Sequence, residues 1–325
     1  MGSWQRKVAG VIVALVGVVF LGSVIVNNLF SVGPAFERMS DGFRPAMQPE
    51  PIAALKQDLA GLQAVSDEFG TIAVPMLSQA LQMTPEDFTA FMGTQFPDVA
   101  TGVEQLPTIV SSFQGVVDTL EAEQDRFADA DAIPTSSLPA TTVPWGLAVA
   151  GVLLLVIGGV MVLRPGKAIA IAAVVVGALL VAAPLLMSLP GKAASADTMN
   201  ENLEPVYTAE MLEGATQSLT VVGAMGTQMT QEMLPALGQQ LGMDEAALQS
   251  FLQENLPAMA GAMAAMPDAM GRFSQTVETF QAHLADYDTL KPVAFVPIVW
   301  TMIIGGAVAL LAGLWGLVGA RAPRA

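Results

Sequence analysis

The chain of 325 residues contains no cysteine and one histidine, His283. The first absence excludes disulfides, iron–sulfur clusters, thiolate zinc sites and thiol nucleophiles. The second leaves no imidazole set for a metal cage or a proton relay, so His283 reads as a surface or partly buried residue. Charge is also scarce, at 13% of residues, where an ordinary soluble domain has about a quarter. Bases are the rarer sign, 13 Lys and Arg against 29 Asp and Glu, and the net charge of −16 excludes a basic nucleic-acid binder. Hydrolase elbows, phosphate loops and dinucleotide fingerprints are missing as well. The sequence therefore reads as non-enzymatic, with no catalytic, cofactor or metal residue assigned.

What the chain has in quantity is apolar: 53% hydrophobic residues and a mean hydropathy of +0.56. Its acids are sorted, 16 in residues 31–142 and 13 in residues 189–292, and no charge falls in the runs 8–36, 132–163, 168–191 and 292–320. Each run holds about twenty apolar residues, the length of helix that crosses roughly 30 Å of hydrocarbon. Spans are predicted near 8–27, 145–163, 168–189 and 296–319. No ionisable residue lies inside them to mark an ion path.

Arg6 and Lys7 precede the first span, Arg164 and Lys167 lie between the second and third, and Arg321 and Arg324 follow the fourth. Bases flanking spans are retained on the cytoplasmic side. Both termini and the turn 164–167 are therefore expected to be cytoplasmic, and the acidic stretches outside. The expected fold class is an all-α integral membrane protein with four transmembrane helices and two long extracytoplasmic helical bundles. Its segments are a signal anchor (1–30), an outer domain (31–142), spans at 143–163 and 168–189 joined by the turn 164–167, a second outer domain (190–292), a span at 293–320 and a tail (321–325). The first run is too long, and too poor in small residues at its end, for a cleaved signal peptide. Abundant Ala, Gly and Val with little Lys suits a high-GC bacterium, with the protein in its plasma membrane.

An internal register organises the chain. At an offset of 160, Lys7 meets Lys167, Gly17 meets Gly177, Met39 meets Met199 and Pro45 meets Pro205; between 75–127 and 235–287, 13 of 53 positions are identical. The expected repeat units are 1–163 and 164–325. Each has an even number of spans, so the copies keep one orientation and are related by an axis along the membrane normal.

The outer stretches read as helical, because clean period-two alternation and hairpin dipeptides are missing. Thr84-Pro85-Glu86-Asp87 predicts an N-cap for a short helix over 85–95, ending before Pro97; Asp244-Glu245 predicts its counterpart over 245–255. Longer helices, about 51–82 and 210–241, are expected to bend at Pro75 and Pro235. A seam steps through Val99, Val103, Leu106, Val110, Phe113, Val117 and Leu120, and its counterpart through Met259, Met263, Met266, Met270, Phe273, Val277 and Phe280. Pro107 and Pro267 inside it predict a kink or restart.

Met259, Met263, Met266, Met270 and Phe273 form a candidate apolar groove, since methionine gives a soft, adaptable surface. Copper is disfavoured, because Val and Leu occupy the matching positions of the first copy. The acids Glu121, Glu123, Asp125, Asp129 and Asp131 lack a calcium-loop pattern and read as a solvated face. Gly305, Ala309, Gly313 and Gly316 form small-residue faces for packing between spans. The layout of spans continuing into long outer helices resembles that of prominins and tweety proteins, which differ in span number, and transfers no residue.

Two functions follow as expectations. One is a membrane-anchored scaffold or accessory protein that binds an envelope partner or a second copy, or organises the membrane. The alternative is a protein that binds or transfers lipid or another hydrophobic molecule through a Met-rich groove between the repeats. Membrane lipid is a partner in either case.

Overall fold

The computed structural model describes residues 2–135, 138–164 and 166–318. The expected tail 321–325 and the end of the last predicted span lie outside the described residues. In chain order the helices are α1 (Gly2–Val26), α2 (Leu29–Phe43), α3 (Pro49–Glu68), α4 (Val74–Ala80), α5 (Pro85–Gln95), α6 (Pro97–Asp131), α7 (Thr142–Leu163) and α8 (Lys167–Leu186). They continue as α9 (Leu189–Leu203), α10 (Ala209–Gln228), α11 (Leu234–Leu241), α12 (Glu245–Asn255), α13 (Pro257–Ala282), α14 (Leu284–Leu290) and α15 (Phe295–Val318). No strand forms among the described residues. Four helical segments are long and apolar enough to cross a membrane: Trp4–Val26, Thr142–Leu163, Lys167–Leu186 and Phe295–Val318.

Local chemistry explains where helices begin and break. The Thr84 side chain accepts the Asp87 N–H at 3.1 Å and Pro85 occupies the first turn, where its missing N–H costs nothing. Asp244 accepts the Ala247 N–H at 2.8 Å and does the same for α12. Proline acts differently at two depths. Ahead of Pro75 and Pro235 the chain widens into single π-helical turns, Phe69–Ala73 and Met229–Met233, a wider turn that relieves the proline ring of its clash with the preceding carbonyls. Through Pro107 and Pro267, in contrast, α6 and α13 continue as helix without a restart.

Several backbone features stand 160 residues apart. The π-turns do, and so do the positive-φ residues Asn28 (49°) and Ser188 (56°), each just past an apolar helix, and Gln82 (56°) and Gly242 (66°), each just past a short one.

The chain forms two compact units, and each draws on both halves of the sequence: the first comprises 1–42, 125–204 and 285–325, the second 43–124 and 205–284. Contact therefore places 43–124 and 205–284 in one unit, and the ends of both acidic stretches in the other. In the first unit α1 packs on α7, α8 on α15, α1 on α15 and α7 on α8. The close approaches are at glycine: a Cβ at Gly17 would lie 2.6 Å from the Gly151 carbonyl oxygen, and one at Gly177 2.7 Å from that of Gly306. Asp197 accepts the N–H groups of Phe295 and Val296 at 2.7 and 3.0 Å, satisfying donors at the start of α15. In the second unit α13 packs on α3 and α10, over a core that includes Ile52, Leu59, Met225, Met233, Phe273 and Phe280.

Candidate functional site

The second unit is built around a reciprocal exchange. The carboxylate of Glu68, at the end of α3, accepts the N–H groups of Ala258 and Met259 at 3.1 and 2.8 Å, at the start of α13. The side-chain oxygen of Gln228, at the end of α10, accepts the N–H groups of Asp98 and Val99 at 2.8 and 3.1 Å, at the start of α6. Each partner of one exchange stands 160 residues from its partner in the other. A helix start leaves backbone donors without intrahelical acceptors, so both side chains cap a helix from the opposite half of the chain. Phe113 and Phe273, again 160 apart, meet edge to face with ring centroids 5.0 Å apart.

Beside this aromatic pair lies a cavity of about 340 Å³. Leu55, Phe113, Val116 and Val117 reach it from the first half of the chain, and Met211, Leu212, Phe273, Val277 and Phe280 from the second. Its oxygen-bearing side chains are Ser112, Ser218, Thr276 and Glu210. The three hydroxyls donate along their own helices, Ser112 to the Thr108 carbonyl (2.9 Å), Ser218 to Gly214 (2.8 Å) and Thr276 to Arg272 (2.9 Å). Toward the cavity they present lone pairs only. Glu210, in the first turn of α10 and exposed, adds a carboxylate.

The electrostatics around the cavity are one-sided. The second unit holds 19 Asp and Glu against 3 Lys and Arg, a net −16 that equals the charge of the whole chain. Arg272 is bidentate to Asp58, with both bonds at 2.7 Å, and Lys56 meets Glu121 at 2.6 Å and Asp118 at 3.6 Å. These hydrogen bonds, to Asp58 and to Glu121 respectively, raise the pKa of each base above its ordinary value.

The seam residues predicted from sequence divide between packing and cavity. Val99, Leu106, Val110, Val117 and Leu120 are buried. Of the candidate groove, Met259 is buried and Met263, Met266 and Met270 are half-buried, and only Phe273 borders the cavity. The tips of Met266 and Met270 instead lie by α10, with Cε atoms 3.7 Å from where a Cβ at Gly226 and Gly223 would stand. Leu55, Val116 and Met211 line the cavity without belonging to any sequence pattern; the 160-residue register is the one signal that would have coupled Glu68 with Gln228.

Elsewhere the predicted residues scatter. Glu121 pairs with Lys56, Glu123 is buried, and Asp129 accepts a hydrogen bond from Ser195 at 2.9 Å. The His283 ring is 6.0 Å from that of Phe43. Gly305 sits against Phe20 and Val16, Gly313 against Val174 and Ala170, and Gly316 faces Met161 with a Cβ gap of 3.3 Å; Ala309 is fully buried. In the first unit Tyr287 donates to the Asn200 carbonyl at 3.1 Å, and burial first, then the charge of Glu204, pushes its pKa up to about 12.

Fold and site together define an all-helical protein with four helices fit to cross a membrane and a second, acidic helical unit containing an apolar cavity. The chain matches no known protein family and no curated protein.

Proposed function

We propose that this chain is a non-enzymatic membrane protein whose acidic helical unit holds one hydrophobic molecule. The observation that carries the reading is the cavity of about 340 Å³ walled by side chains from both halves of the chain. Its size falls in the range of small-molecule sites, roughly 300–1,000 Å³. The scaffold alternative needs an apolar face for a partner, and among the described residues the large exposed hydrophobic side chains of this unit are Ile72, Met83 and Met211 alone. Those three make no continuous patch of the size that marks an interface.

The proposal includes an orientation and an origin. Both termini and the turn near Arg164 lie in the cytoplasm, with the acidic stretches outside, following the bases at the span ends. The chain arose by tandem duplication of a unit of span, outer helices and span, and its halves are related by a pseudo-two-fold axis along the membrane normal. Support comes from the 160-residue register shared by sequence identities, π-turns, positive-φ residues and reciprocal caps. Reporters active only in the cytoplasm, fused near Arg164 and Ala325, should give signal, while insertions near Ser136 and Ala196 should not. The binding reading is tested by mass spectrometry of small molecules co-purifying with the full chain in a bilayer disc. Wild type should carry a stoichiometric apolar molecule that Ala215→Trp, which fills the cavity, loses while remaining folded; identical profiles would overturn the reading.

A further inference from the structure

The cavity wall discriminates between head groups by its charge. An amphiphile lodging its chain among Leu55, Phe113 and Phe273 leaves its polar end beside Glu210. There it meets a carboxylate, while further along the wall the Ser218 and Thr276 hydroxyls donate to the Gly214 and Arg272 carbonyls. Within α6 and α13 the backbone N–H groups are spent in the helix, and at the start of α10 the Thr208 side chain accepts the Met211 N–H at 3.2 Å. A carboxylate or phosphate head would lie beside a like charge. A cation with N–H groups would find a charged acceptor in the Glu210 carboxylate. The unit's field acts in the same direction, with 19 acids against 3 bases and two of those bases engaged by Asp58 and by Glu121.

Volume sets the chain. An apolar cavity of roughly 150 Å³ accepts one benzene, so one of about 340 Å³ accommodates about a dozen carbons, which is one alkyl chain and not two.

Building on the proposed binding function, we infer that the ligand is a single-chain amphiphile with a primary ammonium head, its chain in the cavity and its head at Glu210. The test uses the full chain in phosphatidylcholine discs, with empty discs as the blank. Displacement of an uncharged apolar fluorophore is read for dodecylamine, dodecanol and dodecanoate. Dodecylamine should bind at least tenfold more tightly than dodecanol, dodecanoate should be the weakest, and added salt should shrink the gap. Glu210→Gln, a change at an exposed position, should bring dodecylamine to within about threefold of dodecanol while dodecanol itself is unaffected. Equal binding of all three probes, a preference for dodecanoate, or an amine preference that survives Glu210→Gln would overturn the head-group inference and leave the cavity as an apolar site. If none of the three displaces the fluorophore in excess of the blank, the binding function itself falls.

Discussion

The two halves of the second unit do the same work with different side chains. Glu68 and Gln228 each receive two backbone N–H groups from the start of a helix in the other half, one through a carboxylate and one through a neutral amide. The position requires an oxygen acceptor of the right reach and does not require charge. Burial separates them, since Glu68 is 8% exposed and Gln228 is half-buried. The seams differ in the same spirit. Leu106 and Val110 are buried, whereas Met266 and Met270 remain half-buried at the matching places. Volume is traded between partners as well: a Cβ at Gly102 would lie 2.6 Å from Met225, and the positions 160 residues away from this pair hold Ala262 and Val65. A small residue against a long one in one place corresponds to two intermediate ones in the other.

The strongest challenge to this equivalence is at the four long apolar helices. Gly17→Leu and Gly177→Leu each thrust a side chain into the backbone of a neighbouring helix, so each should destabilise by about 3 kcal/mol or more, measured by thermal unfolding in discs. A tolerated substitution on one side only would break the correspondence of the two helix pairs. Next, Glu68→Leu deprives two N–H groups of their acceptor, one of them on buried Met259, and should cost about 2–3 kcal/mol. Gln228→Leu should cost about half as much because water reaches it, and Glu68→Gln should stay within about 1 kcal/mol of wild type, as the amide at position 228 implies.

Gly102→Ala should cost about 1–3 kcal/mol by overpacking, and Met225→Val should recover most of that loss in the double variant, a coupling readable in a double-mutant cycle. Replacing Met259, Met263, Met266 and Met270 with the Val, Val, Leu and Val of the other seam should cost about 1–2 kcal/mol. It should leave small-molecule binding intact, because none of the four borders the cavity; lost binding would restore the Met-rich groove as the site. The smallest effect sets the two tyrosines apart. The folded-state pKa of Tyr287 is raised from 10.0 to about 12, so its contribution to stability is complete below pH 10 and disappears as the pH rises through about 12. Tyr287→Phe should remove that alkaline component from the stability profile, whereas Tyr207→Phe, which deletes the hydrogen bond to the Phe280 carbonyl, should shift stability at neutral pH.

Much of the architecture was legible because it rests on one-dimensional signals. Uncharged runs of about twenty residues located four apolar helices, and Thr84-Pro85 and Asp244 located the starts of α5 and α12 to the residue. A proline signals a disturbance without saying which kind. Near Pro75 and Pro235 the helix absorbs it as a π-turn, while at Pro107 and Pro267 the helix continues. The site was less legible. Its aromatic floor, Phe113 and Phe273, belongs to a visible seam, but Leu55 and Met211 face it from helices whose rotation no local pattern specifies.

Composition and periodicity by themselves determined the helices, the apolar lengths, the scarcity of charge within the spans and the 160-residue register. These depend on transfer free energy and backbone hydrogen bonding, which are properties of contiguous residues. Only the tertiary structure decided that 43–124 and 205–284 fold into one unit, that Glu68 caps α13 and Gln228 caps α6, and that Met266 and Met270 pack against α10 instead of lining the cavity. Those outcomes depend on which helix faces meet across roughly 160 residues of chain, and the packing energy that selects among such meetings is spread over many contacts, each worth about 0.1–0.2 kcal/mol, that no local segment encodes.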